Sequence, residues 1–400
     1  MQEWEEAAMR PLYRELAGVS PSESAHPGLI FDKYIDQWAP PPNTKPGDGA
    51  KGRFYAAIRD RVQAMGTLLD QRLDAARLRR SRLVLSRGGR RYTAQTASPR
   101  IIGLGSGHPF EAGLTWHPTL GVPYLPGSSI KGMVRALADP RDKQGNAGWG
   151  NPADWPTVKR LFGDTNDLGA GSIIVFDAVS TSCPQLDVEI MTPHYGPYYK
   201  APTTNPPADW YSPVPISFLT VAESQEFQFA LAPRCPKGAT SAGDLVRAKD
   251  LLEQALQCLG AGGKTAVGYG RFGNWDDVTD AIKRQLETVD RRAKQDRLAA
   301  EQQAKLASVT GLDRELAEFT FKWQEAGNPQ TAAAVGEGKA TEWFQRFGAA
   351  PEQDKQKIAQ ALKLFYVHVN KWSGRQLSDK QRVKVITIKR LLGEEESRGL

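Results

Sequence analysis

The sequence predicts an α+β fold for the middle of the chain and a separate helical region after it. Two observations lead to this expectation. Between residues 91 and 275, runs rich in β-branched and aromatic residues alternate with amphipathic stretches and with loops rich in glycine and proline. After residue 275 the charges are mixed and strand character is almost absent. Such alternation is typical of a sheet with helices on one face. We therefore expect an N-terminal helical segment (1–90), a sheet domain (91–275) and a C-terminal helical extension (276–400).

The composition is that of an ordinary globular protein with a basic bias. The chain has 400 residues, is 40% hydrophobic and carries a net charge of +7. No apolar run approaches the ~20 residues of a membrane span, so we expect no membrane partner. The three cysteines form no CxxC pair, which indicates a reducing, cytoplasmic location and no structural zinc. The positive charge favours a polyanionic partner, with nucleic acid foremost.

Local patterns predict the elements in chain order. Residues 1–38 are typical of one or two short helices, 39–52 of a loop, and 53–83 of a helix with a densely basic second half. GSIIVFDAVS (171–180) predicts a strand. The remaining predictions are a long proline-rich and aromatic loop (193–215), two strands (216–233), an amphipathic helix (241–260), a long exposed helix entering the extension, a loop over EAGNPQTAAAVGEGKA (325–340), and two or three helices from residue 340 to residue 393.

The stretch LPGSSIKGMVRALADP (125–140) predicts a helix that Ser128 or Ser129 caps. Lys131 and Arg135 lie one turn apart on the same face of this helix, near its positive end. Like charges at this spacing repel, and cations are unfavourable at a helix N-terminus. A phosphate at the N-terminus would remove the conflict, since the backbone amides and both cations would then face one anion. Two solvated surface cations are the alternative interpretation.

The glycine-rich stretch GAGGKTAVGYGRFG (260–273) is a second candidate phosphate-binding element. Glycine lets a backbone approach a ligand closely, and Lys264 and Arg271 add positive charge. The GGKT within it does not complete a Walker A loop, because the first glycine of that pattern falls on Cys258 and a helix precedes it. A nucleotide hydrolase is therefore not expected.

Histidine supplies the candidates for acid–base chemistry. His108, His117 and His194 lie in the glycine- and proline-rich loops. A general base needs a defined geometry and a tuned pKa, which a sequence does not display. No metal-binding histidine or cysteine spacing is present, so we expect neither a metal nor another cofactor.

Several stretches resemble, in order and spacing, the RAMP superfamily of CRISPR proteins. They are GLGSGHPFEAGLTWHPTLGVPYLPGSSIKGMVRALA (103–138), RLFGDTNDLGAGSIIVFDA (160–178) and GGKTAVGYGRF (262–272). LDVEIMTPHYGPYY (186–199), followed by PVPISFLTVAESQEFQFAL, narrows the resemblance to the sixth-subunit family of the type III-B Cmr effector complex. The resemblance covers roughly residues 30–275 and leaves the helical extension without an assigned role.

The resemblance implies an RRM-like (ferredoxin-like) sheet with a C-terminal glycine-rich loop. It also implies a non-catalytic, RNA-binding backbone subunit of a ribonucleoprotein for antiviral defence. Such a subunit contacts the 3′ part of the guide RNA (crRNA) and the guide–target duplex, and it packs on other RAMP subunits of the Cmr complex. The RAMP subunit that cleaves target RNA places an acidic residue in a loop. Here the loop after the β-like stretch YTAQTASPRIIGLG (92–105) has Glu111 but no aspartate, which argues against cleavage by this chain.

The expected contacts with the RNA backbone follow from these elements. They are Ser128, Ser129, Lys131, Arg135, Lys264, Arg271, Arg100 and His194. Two alternatives remain open at this point. One is a metal-independent RAMP endoribonuclease that processes guide RNA, with His108, His117 or His194 as its base. The other is a protein–protein adaptor that does not contact RNA.

Overall fold

The computed structural model describes residues 20–35, 49–139, 150–151, 154–163, 169–235, 241–373 and 377–394. The chain divides into two compact units, Met1–Leu286 and Glu287–Leu400. The first unit contains the sheets and the second is helical, so the expected α+β class with a helical region after it is confirmed.

The described N-terminal part is helical. The helices are α1 (Pro27–Lys33), α2 (Ala50–Ala64) and α3 (Gly66–Ser86). His26 caps α1, because its Nδ1 accepts the backbone N–H of Leu29 at 3.1 Å. The single helix predicted over 53–83 is instead two helices that meet at Met65, with Gly66 opening the second. One or two short helices were expected over residues 1–38, of which residues 1–19 and 36–38 lie outside the described part of the chain.

The strands form two antiparallel sheets. They are β1 (Arg90–Thr96), β2 (Tyr124–Leu125), β3 (Ile173–Val175), β4 (Ala178–Ser180), β5 (Leu186–Met191), β6 (Ile216–Val221), β7 (Glu226–Pro233) and β8 (Phe272–Asp277). The larger sheet has the order β2-β4-β7-β1-β8, and β3 also pairs with β7. β5 and β6 form a separate hairpin-like sheet. The helices between the strands are α4 (Gly127–Ala138), α5 (Trp155–Phe162), α6 (Gly196–Lys200) and α7 (Ser241–Cys258).

The apolar face of the larger sheet lies under α7. Phe229 of β7 meets Phe272 and Trp275 of β8 edge to face, with ring centroids 5.4 and 5.2 Å apart. Apolar residues of α7, among them Leu252 and Leu256, belong to the same buried core. Aromatic pairs in this geometry stabilise a core beyond the area that they bury.

The opposite face of the same sheet is polar, and α3 covers it. Arg91 of β1 is 1% exposed and donates from Nη2 to Gln228 Oε1 of β7. A Cβ placed on Gly89 would lie 2.7 Å from Val84 Cγ1 of α3 and 2.8 Å from Ala232 Cβ of β7. This residue is glycine because α3 approaches the sheet so closely. A densely basic helix is thus part of the core rather than a solvated appendage.

Two strand predictions need correction. The strand expected over 171–180 is interrupted at Phe176–Asp177 and forms β3 and β4. The segment Leu186–Met191 is the strand β5, which pairs with β6 but was not predicted. Its alternation of apolar and acidic residues is the period of a strand, and that signal could have found it.

The second unit is built from helices. They are α8 (Thr279–Ser308), which begins in the first unit, and α9 (Gly311–Gln324), α10 (Pro329–Ala349), α11 (Glu352–His368) and α12 (Asp379–Leu391). Phe319, Trp343 and Phe365 lie in a core of their own. The loop predicted over 325–340 is mostly helix. Asn328 caps α10 by accepting the N–H groups of Gln330 and Thr331.

Gly336 lies where α10 packs closely against α11. A Cβ on Gly336 would lie 2.3 Å from Phe365 Cε2, whereas one on Gly338 would meet nothing within 4 Å. Gly336 therefore permits close contact between α10 and α11. Its neighbour Gly338 has no such packing role.

We expect Gly336→Ala to destabilise the helical unit by about 1–3 kcal/mol, since the added methyl overpacks the α10–α11 contact. The matched control, Gly338→Ala, should stabilise the helix by about 0.5–1 kcal/mol through reduced backbone entropy. Denaturant unfolding of the full chain, followed by the fluorescence of its tryptophans, measures both. Equal effects of the two substitutions would contradict the packing role of Gly336.

The start of α8 is hydrogen-bonded to β1, and we expect it to stabilise the first unit. Thr279 is buried, and its Oγ1 accepts the N–H of Arg91 at 3.0 Å. The N–H of Val278 donates to the carbonyl of Arg91 at 3.0 Å. A chain ending at residue 275 loses these bonds and the last residues of β8, each hydrogen bond being worth about 1 kcal/mol. We expect a chain ending at Leu286 to melt at a clearly higher temperature than one ending at 275, and equal melting temperatures would contradict this role of α8.

Candidate nucleic-acid interface

The N-terminus of α4 is capped by a carboxylate from another part of the chain. The N–H of Gly127 donates to Asp177 Oδ1 at 2.7 Å. Ser128 and Ser129 are exposed and make no capping hydrogen bond, so the prediction that one of them caps the helix is wrong. Asp177 supplies the negative charge that the helix dipole favours. The backbone amide at the start of the helix is therefore already engaged, and the two cations remain to be explained.

Asp177 also contacts α3. Its backbone carbonyl accepts a hydrogen bond from Arg80 Nη1 at 2.7 Å. Burial lowers the pKa of the Arg80 guanidinium, and the nearby Asp177 carboxylate opposes that effect. The break between β3 and β4 thus fixes α3 and α4 to one corner of the sheet.

Lys131 and Arg135 form a positive cluster with Arg234. Burial lowers the pKa of Lys131, and the neighbouring cations Arg234 and Arg135 lower it further. Within the described ranges, neither Lys131 nor Arg135 has a carboxylate at ion-pairing distance. A half-buried cation among other cations is a favourable place for an anion. Sequence reasoning missed Arg234, which follows β7 in a loop without a motif.

Glycines of the glycine-rich stretch serve packing. The N–H groups of Gly263 and Gly270 donate to the carbonyls of Ile101 and Pro99 at 2.7 and 2.9 Å. A Cβ on Gly262, whose φ is +114°, would lie 2.1 Å from the Ile101 carbonyl oxygen. These glycines allow close approach to the chain that follows β1. Their amides are thereby used within the protein.

The two cations of this stretch differ in their surroundings. Lys264 has a left-handed backbone with φ of 57°, and its Nζ lies 5.8 Å from the centre of the Phe218 ring. Arg271 Nη1 donates to the Gln257 carbonyl at 3.0 Å. Both side chains are partly exposed, so both can reach a ligand without a change of fold.

The structure does not bring the two predicted phosphate-binding elements together. Arg234, beside Lys131, follows the C-terminal end of β7. Arg271 lies near the other end of that strand, since its carbonyl accepts the N–H of Ala97 just after β1, where β1 meets the start of β7. The eight residues of β7 span about 26 Å at ~3.3 Å per residue. One phosphate cannot touch both elements, although an extended strand of RNA can.

Arg100 does not fit the expected contact with RNA. It is 1% exposed, and its guanidinium carbon lies 4.1 Å from the centre of the Phe227 ring. Burial lowers its pKa to about 9. Its backbone forms a two-way bridge with Val221, so Arg100 joins the two sheets from inside. His194, in contrast, is exposed.

Two of the candidate bases hold turns instead. His108 Nδ1 accepts the N–H of Phe110, its Nε2 lies 3.0 Å from the Phe31 carbonyl, and its ring stacks on Phe31 with centroids 4.3 Å apart. His117 Nδ1 accepts backbone N–H groups of the following turn at 3.3 Å. Burial lowers the pKa of both imidazoles. These rings stay neutral and structural at physiological pH.

The described residues contain neither a cluster of metal ligands nor a membrane-spanning helix. Nowhere among them do three or more histidine, cysteine or acidic side chains converge on a point that could hold a metal. No helix in the part of the chain that the structure describes is long and apolar enough to cross a membrane. Cys183, Cys235 and Cys258 are free thiols.

Comparisons with known proteins agree with the motifs. Residues 93–273 match the model of the RAMP superfamily. The CRISPR system Cmr subunit Cmr6 of Pyrococcus furiosus is 31% identical over an alignment of 231 residues, and the match covers 44% of this chain and 66% of that protein. The chain therefore spans slightly less than two thirds of the length of this relative.

Two solved structures are also similar. One is a cryo-EM structure of the type III-B Cmr-β complex bound to cognate target RNA, in which the matching chain is 18% identical with a TM-score of 0.38, over 57% of this chain and 75% of that one. The other is the crystal structure of Cmr6 from Pyrococcus furiosus, 29% identical with a TM-score of 0.30, over 46% of this chain and 96% of that one.

The family model and the related sequence confirm the resemblance that the motifs indicated. The helices after residue 286 lie outside the matched region. Residues 93–273 match the RAMP superfamily model, and the chain that contains them is similar to the Cmr6 subunit of the CRISPR Cmr system of Pyrococcus furiosus.

Proposed function

We propose that this chain is an RNA-binding backbone subunit of a type III-B Cmr effector complex and that it does not itself cleave RNA. The observation that carries the proposal is the cluster of Lys131, Arg135 and Arg234 on the RAMP domain. Burial and the neighbouring cations lower the pKa of Lys131, and within the described residues no carboxylate lies at ion-pairing distance from Lys131 or Arg135. Phosphate is the anion that such a cluster binds in a nucleic acid.

The order of the elements supports an RRM-like assignment of the sheet domain. Along the chain, β1, α4, the β3–β4 pair, β7, α7 and β8 follow one another, and in space β1 lies between β7 and β8. This is the β-α-β-β-α-β plan of ferredoxin-like domains. In this protein α3 covers the sheet face that α7 leaves free. We therefore place the RNA at helix ends and sheet edges rather than across the open face of a sheet.

The finer parts of the proposal follow from the family. The guide RNA (crRNA), through its 3′ part, and the guide–target duplex are the proposed ligands, and other RAMP subunits of the Cmr complex are the proposed protein partners. The sequence similarity to a Cmr subunit of Pyrococcus furiosus supports the proposed protein partners. Free thiols at Cys183, Cys235 and Cys258 support a reducing, cytoplasmic location.

The endoribonuclease remains the second candidate. Its bases would be His108, His117 or His194, but the first two accept backbone hydrogen bonds within their own turns. His194 is the exposed one of the three, so a test of this candidate function replaces His194. The adaptor without RNA contact is the third candidate, and it predicts no salt-dependent binding of RNA.

We expect Lys131→Gln together with Arg135→Gln to weaken binding of single-stranded RNA almost independently of sequence, since phosphates carry no sequence information. Each phosphate that the variant no longer neutralises should reduce the slope of log K against log salt by about 0.7. The melting temperature should stay level or rise, because a like-charge pair is removed. Salt titrations and thermal melts of both proteins measure these effects.

The control for this experiment removes two cations that carboxylates already neutralise. Arg297 and Arg314 lie 2.9 and 3.2 Å from Glu301 and Glu318. Their double replacement by Gln changes the net charge by the same amount. An equal weakening of RNA binding in both double variants would reduce the proposed site to a net-charge effect.

We further expect the purified chain to leave guide-repeat RNA intact in EDTA, because the Nδ1 lone pairs of His108 and His117 already accept backbone N–H groups. Gel analysis of end-labelled RNA measures this directly. Site-specific cleavage that His194→Ala abolishes would replace the present proposal with the endoribonuclease.

A further inference from the structure

Several arginines next to the Lys131 cluster are held by backbone carbonyls rather than by carboxylates. Arg80 donates to the Asp177 carbonyl at 2.7 Å, and Arg234 donates from Nε to the Gly171 carbonyl at 2.8 Å. Arg87, the residue that ends α3, donates from Nη2 to the Arg234 carbonyl. A carbonyl fixes a guanidinium in place but does not neutralise it. Arg87 and Arg234 are therefore positioned cations whose charge remains available, and the charge of Arg80 is partly offset by the Asp177 carboxylate.

The carboxylates that reach this corner are already engaged. Asp177 caps α4 through the N–H of Gly127. Asp244 binds Arg160, with Oδ1 2.7 Å from Nη2, and Ser172. Arg91 of β1, which is buried against α3, adds further positive charge. Burial and the neighbouring arginines of α3 lower its pKa to about 10.

The hydrogen bonds join these cations into one surface. Arg87 contacts the backbone of Arg234, and Arg234 lies close enough to Lys131 to lower its pKa. From the other side, Arg80 contacts Asp177, which contacts the start of α4. The Nε of Arg87 is buried, but the residue as a whole is only partly buried, so the outer part of its guanidinium can meet a ligand.

We propose that Arg80 and Arg87 extend the cluster of Lys131, Arg135 and Arg234 into one basic tract that binds consecutive phosphates of a single RNA strand. The tract runs from the C-terminal half of α3, past the edge strand β3, to α4. From Arg80 to Arg87 the helix rises about 10 Å, so the two arginines are spread along the tract rather than gathered at one point. This inference rests on the proposed function and adds α3 to the RNA interface.

Guanidinium groups suit this ligand. Arginine presents its N–H groups in a planar fork that matches phosphate oxygens, and it stays charged at any physiological pH. The tract is continuous with the α4 cluster already assigned to phosphate. An acidic protein surface is the competing ligand, and it predicts no effect of these residues on RNA affinity.

The test compares Arg87→Gln with Arg90→Gln in the full-length chain. Arg90, three residues further on, is exposed and paired with Asp277 at 3.0 Å, so it is the matched control. We expect Arg87→Gln to flatten the salt slope for a single-stranded RNA by about 0.7 and Arg90→Gln to leave it unchanged. The double replacement of Arg87 and Arg234 should roughly double the effect.

A conservative variant separates charge from folding. Arg87→Lys keeps the charge and should retain the salt slope, while a thermal melt of each variant reports any loss of structure. If Lys131→Gln with Arg135→Gln weakens binding but Arg87→Gln behaves as Arg90→Gln does, the extended tract is overturned and the proposed function stands. If the unmodified chain shows no salt-dependent RNA binding, both are overturned.

Discussion

The structure depends on the burial of both faces of the central strand β7. Phe227 and Phe229 on one face pack under α7, and Gln228 on the other binds the buried guanidinium of Arg91 beneath α3. A buried arginine is costly unless it is hydrogen-bonded, so α3 and the sheet must keep a fixed relation. That constraint places a basic helix against the sheet and brings its C-terminal end to the β3 edge, where the proposed RNA tract lies.

The break between β3 and β4 determines which charges near α4 have a partner within the protein. Because Asp177 turns its carboxylate to the start of α4, the helix dipole is satisfied within the protein. Lys131 and Arg135 then have no described anionic partner, and the carbonyls that hold Arg80 and Arg234 leave those charges in place as well. Guanidinium groups that are already held in place suit a phosphate backbone, since little ordering of those side chains is left to be done on binding.

Some cations of the candidate site could be predicted from the sequence, and others could not. Lys131 and Arg135 were found because their spacing on one helix conflicts with the helix dipole, which is a local signal. Arg234 lies 147 residues from Arg87, its hydrogen-bond partner, and no pattern in the sequence links them. Arg100 shows the opposite error: its neighbours in sequence are those of a surface loop, yet pairing with Val221 draws it into the core.

Residue patterns were enough to establish the α+β class, the helical character of the C-terminal region, the RAMP motifs and the basic helix 125–140, because periodicity and short motifs depend on residues a few positions apart. Which charges are free became known only from the folded chain. In the folded chain, Asp177 caps α4, and His108 and His117 accept backbone hydrogen bonds within their turns. Gly336 packs against Phe365. Each of these depends on atoms that are distant in sequence, and whether a polar group is available to a ligand depends on which partner it has already found.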